Sequence, residues 1–267
     1  MIRLLAIDLD GTLLTPSRTI HPKAIEAISR AKEAGVIVLL ASGRIRPSML
    51  KFAQVVGLAD GPMICGNGTH AMLSSTVELM CRPLNHQAQE LLIAYAWAKD
   101  LHLNLYARDS FYFLRDTPWG DLYRARVETI APETLTTSPR ELSCIKVMIV
   151  DKPERIAGHL ALLGPLVEST GTRATESEPE YLEFMDSGAN KGSALATMAD
   201  RLGIMQSETA SIGDYLNDVE MLEWAGLSGA MRNGHPAAKS AATVVVGSNE
   251  EGGVAEFIEQ FVLKHSV

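Results

Sequence analysis

The sequence predicts an α/β protein built on a parallel sheet, and three observations carry that prediction. Short apolar runs without alternation recur along the chain, segments of helical period stand between them, and polar residues gather directly after the runs. The first run, RLLAI (3–7), reads as a strand. PKAIEAISRAKEAG (22–35) reads as a helix with Pro22 near its start and Gly35 at its stop. VIVLLA (36–41) is a strand apolar at every position, so both of its faces should be covered. Later come a helix NKGSALATMADRLG (190–203) with an Asn cap and a Gly stop, and a strand TASIGD (209–214). A helix from Asn217 to Ala225, a strand TVVVG (243–247) and a closing helix GVAEFIEQFVLKH (253–265) complete the pattern.

The middle of the chain differs. It holds a helix NHQAQELLIAYAWAKD (85–100), strand-like pieces NLYARDS (104–110) and FYFLRD (111–116), and a polar, Pro-bearing segment. CIKVMIVD (144–151), a helix PERIAGHLALLG (153–164) and two more strand-like stretches, LVESTG (166–171) and EYLEFM (180–185), follow. This is the pattern of a smaller α+β unit, residues 83–186, inserted into an α/β core made of 1–82 and 187–267.

The chain has 267 residues, enough for two domains with sizeable cores, and its composition of 46% hydrophobic and 21% charged residues is that of a globular protein. Its net charge of −8 and its lack of a Lys/Arg-rich stretch argue against a nucleic-acid partner. An anionic substrate would need a locally positive site, and a cation could supply one. Apolar runs such as VIVLLAS fall far short of the roughly 18 residues of a membrane span, and the N-terminus lacks the pattern of an export signal. A cytoplasmic protein without membrane partners, monomeric or a small homo-oligomer, is expected. Cys65, Cys81 and Cys144 are odd in number and lack metal-ligand spacing, so they read as reduced, mostly buried thiols. The seven histidines show no HExxH or other paired spacing, which argues against zinc.

The chemistry collects after the apolar strands of the core. Asp8 and Asp10 follow the first, Ser42-Gly43-Arg44 the second and Asp214 a later one, all at the edge where parallel α/β sheets bind ligands. A strand-end turn would account for Asp and Gly, but any given D-x-D-G-T has a chance probability of roughly one in 10⁵ at average residue usage. Ser42 and the Gly43 N–H make a small cradle for phosphate oxygens, although a plain loop opening is an equal reading. Lys191 stands in the first turn of a helix, where a cation opposes the helix dipole unless an anion is shared. Asn217, with Glu220 three residues later, has the form of a capping box, and Asp218 suits the same helix start. Carboxylates meeting near a lysine suggest a hard divalent cation with oxygen ligands, Mg²⁺ above all. One of the paired aspartates could then be a nucleophile and the other an acid and base.

DLDGT (8–12), ASGR (41–44), NKG (190–192) and GDYLND (213–218) match, in order and spacing, the four motifs of the haloacid dehalogenase superfamily. The insertion and the strings NKGSAL, MICGNGT (63–69) and SNEEGGVAEFIEQF resemble its Cof-type phosphatases, which carry a C2B-type α+β cap on a Rossmann-like core. The resemblance implies a nucleophile at Asp8 and a general acid/base at Asp10. It implies Mg²⁺ held by Asp8, the Asp10 backbone carbonyl and Asp214, with Asp218 in the outer shell. It also implies phosphoryl binding by Ser42, Lys191, Asn217 and the backbone N–H groups of Leu9 and Gly43, with the Leu9 side chain turned away. Ser42 stands where many relatives have Thr, and Arg232 and Gly234 depart from the small residues common there.

The function expected is a Mg²⁺-dependent phosphatase of small phosphorylated metabolites, sugar phosphates first, acting through an aspartyl-phosphate. A phosphomutase and a non-catalytic sensor of phosphorylated metabolites are the alternatives. Arg108, Tyr112, Arg115 and Glu183 are candidate cap contacts, and Asn67 in the GNG turn is a further candidate whose plain reading is a tight turn.

Overall fold

The computed structural model describes residues 1–126, 130–133, 135 and 137–264. Two compact units divide the chain: Met1–Arg44, Met49–Met80 and Asn190–Val267 form the first, Ile45–Ser48 and Cys81–Ala189 the second. Along the sequence the elements are β1 (Leu4–Asp8), α1 (Pro22–Glu33), β2 (Ile37–Ala41), α2 (Arg46–Val55), β3 (Met63–Cys65), β4 (His70–Met72) and β5 (Glu78–Cys81). There follow α3 (His86–Lys99), β6 (His102–Tyr106), β7 (Phe111–Phe113), α4 (Pro118–Arg126), β8 (Lys146–Val150), α5 (Pro153–Glu168), β9 (Thr172–Glu178) and β10 (Tyr181–Asp186). The chain then returns to the first unit through α6 (Lys191–Leu202), β11 (Thr209–Gly213), α7 (Val219–Trp224), β12 (Leu227–Met231), α8 (Pro236–Ala241), β13 (Val244–Val246) and α9 (Gly253–Phe257).

The large sheet runs β13-β12-β11-β1-β2-β3-β4-β5. Its pairs from β13 to β3 are parallel, and β4 turns back antiparallel to β3. The lack of alternation in the central strands now has its cause. Leu5 and Ile7 of β1, with Val38 and Leu40 of β2, face one core beside α1 and α9, whereas Leu4, Ala6, Leu39 and Ala41 face another beside α6. A strand covered on both sides must be apolar on both parities. Each fully buried Leu or Ile contributes about 1.5–3 kcal/mol of transfer free energy.

α6 starts and stops as its sequence indicates. The Asn190 side chain accepts from the Ser193 N–H, the Ser193 hydroxyl oxygen accepts from the Asn190 N–H in return, and Gly203 ends the helix at φ 64°. The closing helix is shorter than 253–265: a π-helical turn, Ile258–Val262, follows α9, and His265 lies outside the described residues.

The second unit carries an antiparallel sheet, β7-β6-β8-β10-β9. One face, with Leu103, Leu105, Val147, Ile149, Leu182 and Phe184, packs under α3 and α5. LVESTG is not a strand. α5 continues through Pro165 to Glu168, because Ile156, Leu163 and Val167 keep a helical stripe buried and the tertiary packing outweighs the missing proline N–H. The strand lies one step later, as TRATESE, which is polar at every position but Ala174 and so escapes a search for apolar runs.

His102 on the opposite face is buried, with the Thr117 hydroxyl 2.7 Å from its Nδ1. Burial is the main cause that lowers its pKa to about 4 from 6.5. The unfolded chain therefore binds one proton more than the native state between those values, so stability rises with pH across that window. The contribution is complete above about pH 6.5 and is lost as pH falls through about 4, on the order of 2 kcal/mol. Thermal melts at pH 7.5 and 4.5 should show a smaller acid loss in His102→Asn than in the parent, and equal losses would refute the assignment.

Among the described residues none of the three cysteines forms a disulfide, and burial pushes the Cys144 thiol up to about 12, which makes it inert. Among the described residues no helix is long and apolar enough to cross a membrane.

Candidate active site

β11, β1 and β2 are neighbours and parallel, so the chain leaves all three at one edge of the sheet. Asp8 is the last residue of β1, Ser42 follows β2 and Asp214 follows β11. Leu9 sits wholly in the core and turns its side chain away, so consecutive residues diverge to the two sides of the strand end. The turn that follows is tight: Gly11 has φ 84°, and a Cβ there would lie 2.4 Å from Asp214 Oδ2.

Lys191, at the first position of α6, is fully buried and donates to Asp8 Oδ1 and Asp218 Oδ1, each at 2.6 Å. Those two carboxylates offset the conflict between an ammonium and a helix N-terminus. Asp218 Oδ2 accepts from the N–H groups of Asp214 (2.9 Å) and Tyr215 (3.1 Å), and Thr12 donates its hydroxyl to Asp214 Oδ1 at 2.8 Å. Among the described residues Asp8 Oδ2 has no hydrogen-bond partner, and it is buried.

Asp8, Asp214 and Asp218 each offer an oxygen within 4.8 Å of the others, so three buried carboxylates face one ammonium. Burial first, and then the charge of Asp218, drive the Asp8 pKa well above its ordinary value, against the pull of Lys191. Burial and Asp218 likewise raise Asp214 to about 6. Burial alone lowers Lys191, but Asp218 and Asp8 outweigh it and hold the ammonium charged.

Ser42 is buried beside this cluster, with its Oγ accepting from the Arg44 N–H at 3.2 Å. A Cβ on Gly43 would meet Asn67 Oδ1 at 3.0 Å. Asn67 is buried and left-handed (φ 57°), in the turn between β3 and β4. Asn217 donates to Asn67 Oδ1 at 2.9 Å and does not cap a helix. The capping-box reading of Asn217 and Glu220 is thus corrected. A 3₁₀ turn, Leu216–Asp218, precedes α7, and Asp218 accepts the backbone N–H groups at its start.

Asp10 stands apart from the buried cluster. Its carboxylate is half exposed and held by Arg44, whose Nε and terminal nitrogen donate to its two oxygens at 2.7 and 2.6 Å.

Thr12 and Arg44 lie inside the quoted motifs, yet their contacts are not readable from spacing. No spacing or motif in the sequence marks Asn233 or His235: Asn233 donates to the Gly11 carbonyl at 2.8 Å, and the His235 N–H to the Asp214 carbonyl at 2.7 Å. Gly234 is there because a Cβ would lie 2.6 Å from the Asp214 carbonyl oxygen, and Arg232 pairs with Glu251 at the surface.

The remaining candidates belong to the second unit. Glu183 forms a buried ion pair with Lys146 at 2.9 Å, Tyr112 donates to Glu133, and Arg115 bonds Asp100 and the Ala96 carbonyl at the end of α3. Arg108 lies in the turn between β6 and β7.

A parallel-sheet core that gathers carboxylates and a buried lysine at its strand ends defines an α/β enzyme that handles anions. The family model for haloacid dehalogenase-like hydrolases matches residues 5–258, and the chain belongs to that family. The Escherichia coli (strain K12) pyridoxal phosphate phosphatase YbhA is 31% identical over 269 residues, covering 96% of this chain and 97% of its own. A Bacillus subtilis (strain 168) 5-amino-6-(5-phospho-D-ribitylamino)uracil phosphatase, YcsE, is 29% identical over 98% of this chain and 96% of its own. Among solved structures, TM0651 from Thermotoga maritima matches with a TM-score of 0.88 at 26% identity, over 98% of each chain.

Proposed function

We propose that the protein is a Mg²⁺-dependent phosphatase of small phosphorylated metabolites that works through an aspartyl-phosphate on Asp8. The buried, unpartnered Asp8 Oδ2, in a cluster with more negative than positive charge, is the observation that carries this reading. An oxygen held in that state needs an electrophile or a cation. The donors are carboxylates and backbone carbonyls, the set that a hard divalent ion takes, so Mg²⁺ fits the residues present. Asp8, the Asp10 carbonyl and Asp214 would hold it. Asp218 has its oxygens committed to Lys191 and two backbone N–H groups and would orient the site from behind. When bound, Mg²⁺ supplies positive charge against the phosphoryl oxygens and relieves carboxylate repulsion.

In this reading Asp8 attacks phosphorus, the bond from phosphorus to the ester oxygen breaks, and Asp10 gives that oxygen its proton. Asp10 then takes a proton from water as the water oxygen attacks phosphorus. The bond from Asp8 to phosphorus breaks and inorganic phosphate leaves. Lys191, Ser42, Asn217 and the N–H groups of Leu9 and Gly43 neutralise and orient the phosphoryl oxygens, which is most of the work in this chemistry. The second unit serves as the cap. The relatives' named substrates put pyridoxal phosphate beside sugar phosphates on the first panel.

The test is phosphate release from sugar phosphates, pyridoxal phosphate, nucleotides and an aryl phosphate, with Mg²⁺ and with chelator. Release that chelator reduces by at least about 100-fold is expected. Metal-independent release would overturn the Mg²⁺ assignment, and transfer to a second sugar phosphate in place of water would overturn the phosphatase.

A further inference from the structure

We propose that Arg44 is a positioning residue for Asp10. The inference rests on the reading of Asp10 as general acid and base, and it adds the group that aims that carboxylate.

Two observations carry it. The first is the fork-like grip: Nε and one terminal nitrogen of Arg44 each donate to a different Asp10 oxygen, at 2.7 and 2.6 Å. A bidentate pair fixes the plane as well as the position of a carboxylate. A half-exposed pair of this kind adds little to stability, so orientation is the property it provides.

The second is how firmly Arg44 is held. Its N–H donates to Ser42 Oγ at 3.2 Å, its carbonyl accepts from the Gly66 N–H at 2.8 Å, and its guanidinium lies 5.4 Å over the Phe52 ring. The loop that presents the candidate phosphate hydroxyl therefore also presents the guanidinium.

Steady-state kinetics with Mg²⁺ on p-nitrophenyl phosphate and pyridoxal phosphate test the proposal. Arg44→Met should lower kcat by about 10–100-fold with KM within about threefold, since a misaimed acid/base forfeits part of the 10²–10⁴ that such a group contributes. Arg44→Lys, which keeps the charge but not the fork, should fall between Met and the parent and guards against misfolding of the Met variant. In an Asp10→Asn background, Arg44→Met should cost nothing further, read on the aryl phosphate, whose good leaving group keeps residual turnover measurable. Additive losses, an unchanged kcat, or a rise in KM alone would overturn the proposal. If Asp10→Asn by itself leaves kcat unchanged, the acid/base reading falls and takes this inference with it.

Discussion

Asp8→Asn should abolish phosphate release and, in chelator, raise the thermal midpoint of the protein. The first effect follows from the proposed nucleophile, whose loss should cost at least about 10⁴-fold in kcat. The second follows from the charges. Asp8 is buried against Asp218 and Asp214 with only Lys191 to balance them, and its raised pKa says that the folded state disfavours its ionised form. A neutral amide of the same shape removes that repulsion, for a gain of about 1–3 kcal/mol, or several degrees for a protein of this size. Mg²⁺ should stabilise the parent more than the variant, because the parent offers it a further anionic ligand. Residual turnover near the parent rate would end the nucleophile assignment. A lower midpoint in chelator would show that the hydrogen bond from Lys191 outweighs the repulsion.

Lys191→Met should inactivate the enzyme and destabilise it together. The ammonium is completely buried and touches Asp8 and Asp218 at 2.6 Å, so its removal leaves two buried carboxylates without their counter-charge. Breaking a buried pair from one side costs about 3–5 kcal/mol. At about 2–4 °C per kcal/mol for a chain of this length, the midpoint in chelator should fall by roughly 10 °C. Mg²⁺ should recover part of that fall without restoring turnover, since the cation replaces the charge but not the grip on the phosphoryl group. Melts and assays with and without Mg²⁺ check this. A stable variant with a high KM and normal kcat would reduce Lys191 to a simple binding residue.

The two substitutions differ because the cluster is unbalanced. Taking away a carboxylate moves it toward neutrality, and taking away the lysine moves it further from neutrality. The opposite signs expected for stability distinguish this account from a general sensitivity of the core to substitution, in which both variants would lose stability.

Much of the candidate site is legible in the sequence because it is local. Asp8 and Asp10 mark the end of an apolar run, Asn190 and Gly203 bracket a helix, and a glycine follows the paired acids. Backbone preference and period fix such features over a few residues. Elements without an apolar run are less legible. TRATESE is polar at every position but Ala174, LSGAM is short and small, and the helix α5 runs past a proline that ordinarily breaks one. Pairing with β10 makes TRATESE a strand, and burial against distant elements decides LSGAM and α5 over local propensity.

What the sequence by itself determined is the fold class and which residue types stand at the strand ends. Only the tertiary structure decided which charge answers which. Lys191 and Asp8 are 183 positions apart, Thr12 and Asp214 are 202 apart, and Asp10 and Arg44 are 34 apart. Spacing along the chain carries no information about such pairs, because their meeting depends on the order of strands in the sheet. The same holds for Asn217. Its sequence neighbours offer it a helix cap, but the sheet brings Asn67 within 2.9 Å, and the Asp218 side chain is taken by the Asp214 and Tyr215 N–H groups instead of α7. Hydrogen-bond donors are claimed by the acceptor that the fold delivers, and here the fold delivers one from 150 residues away.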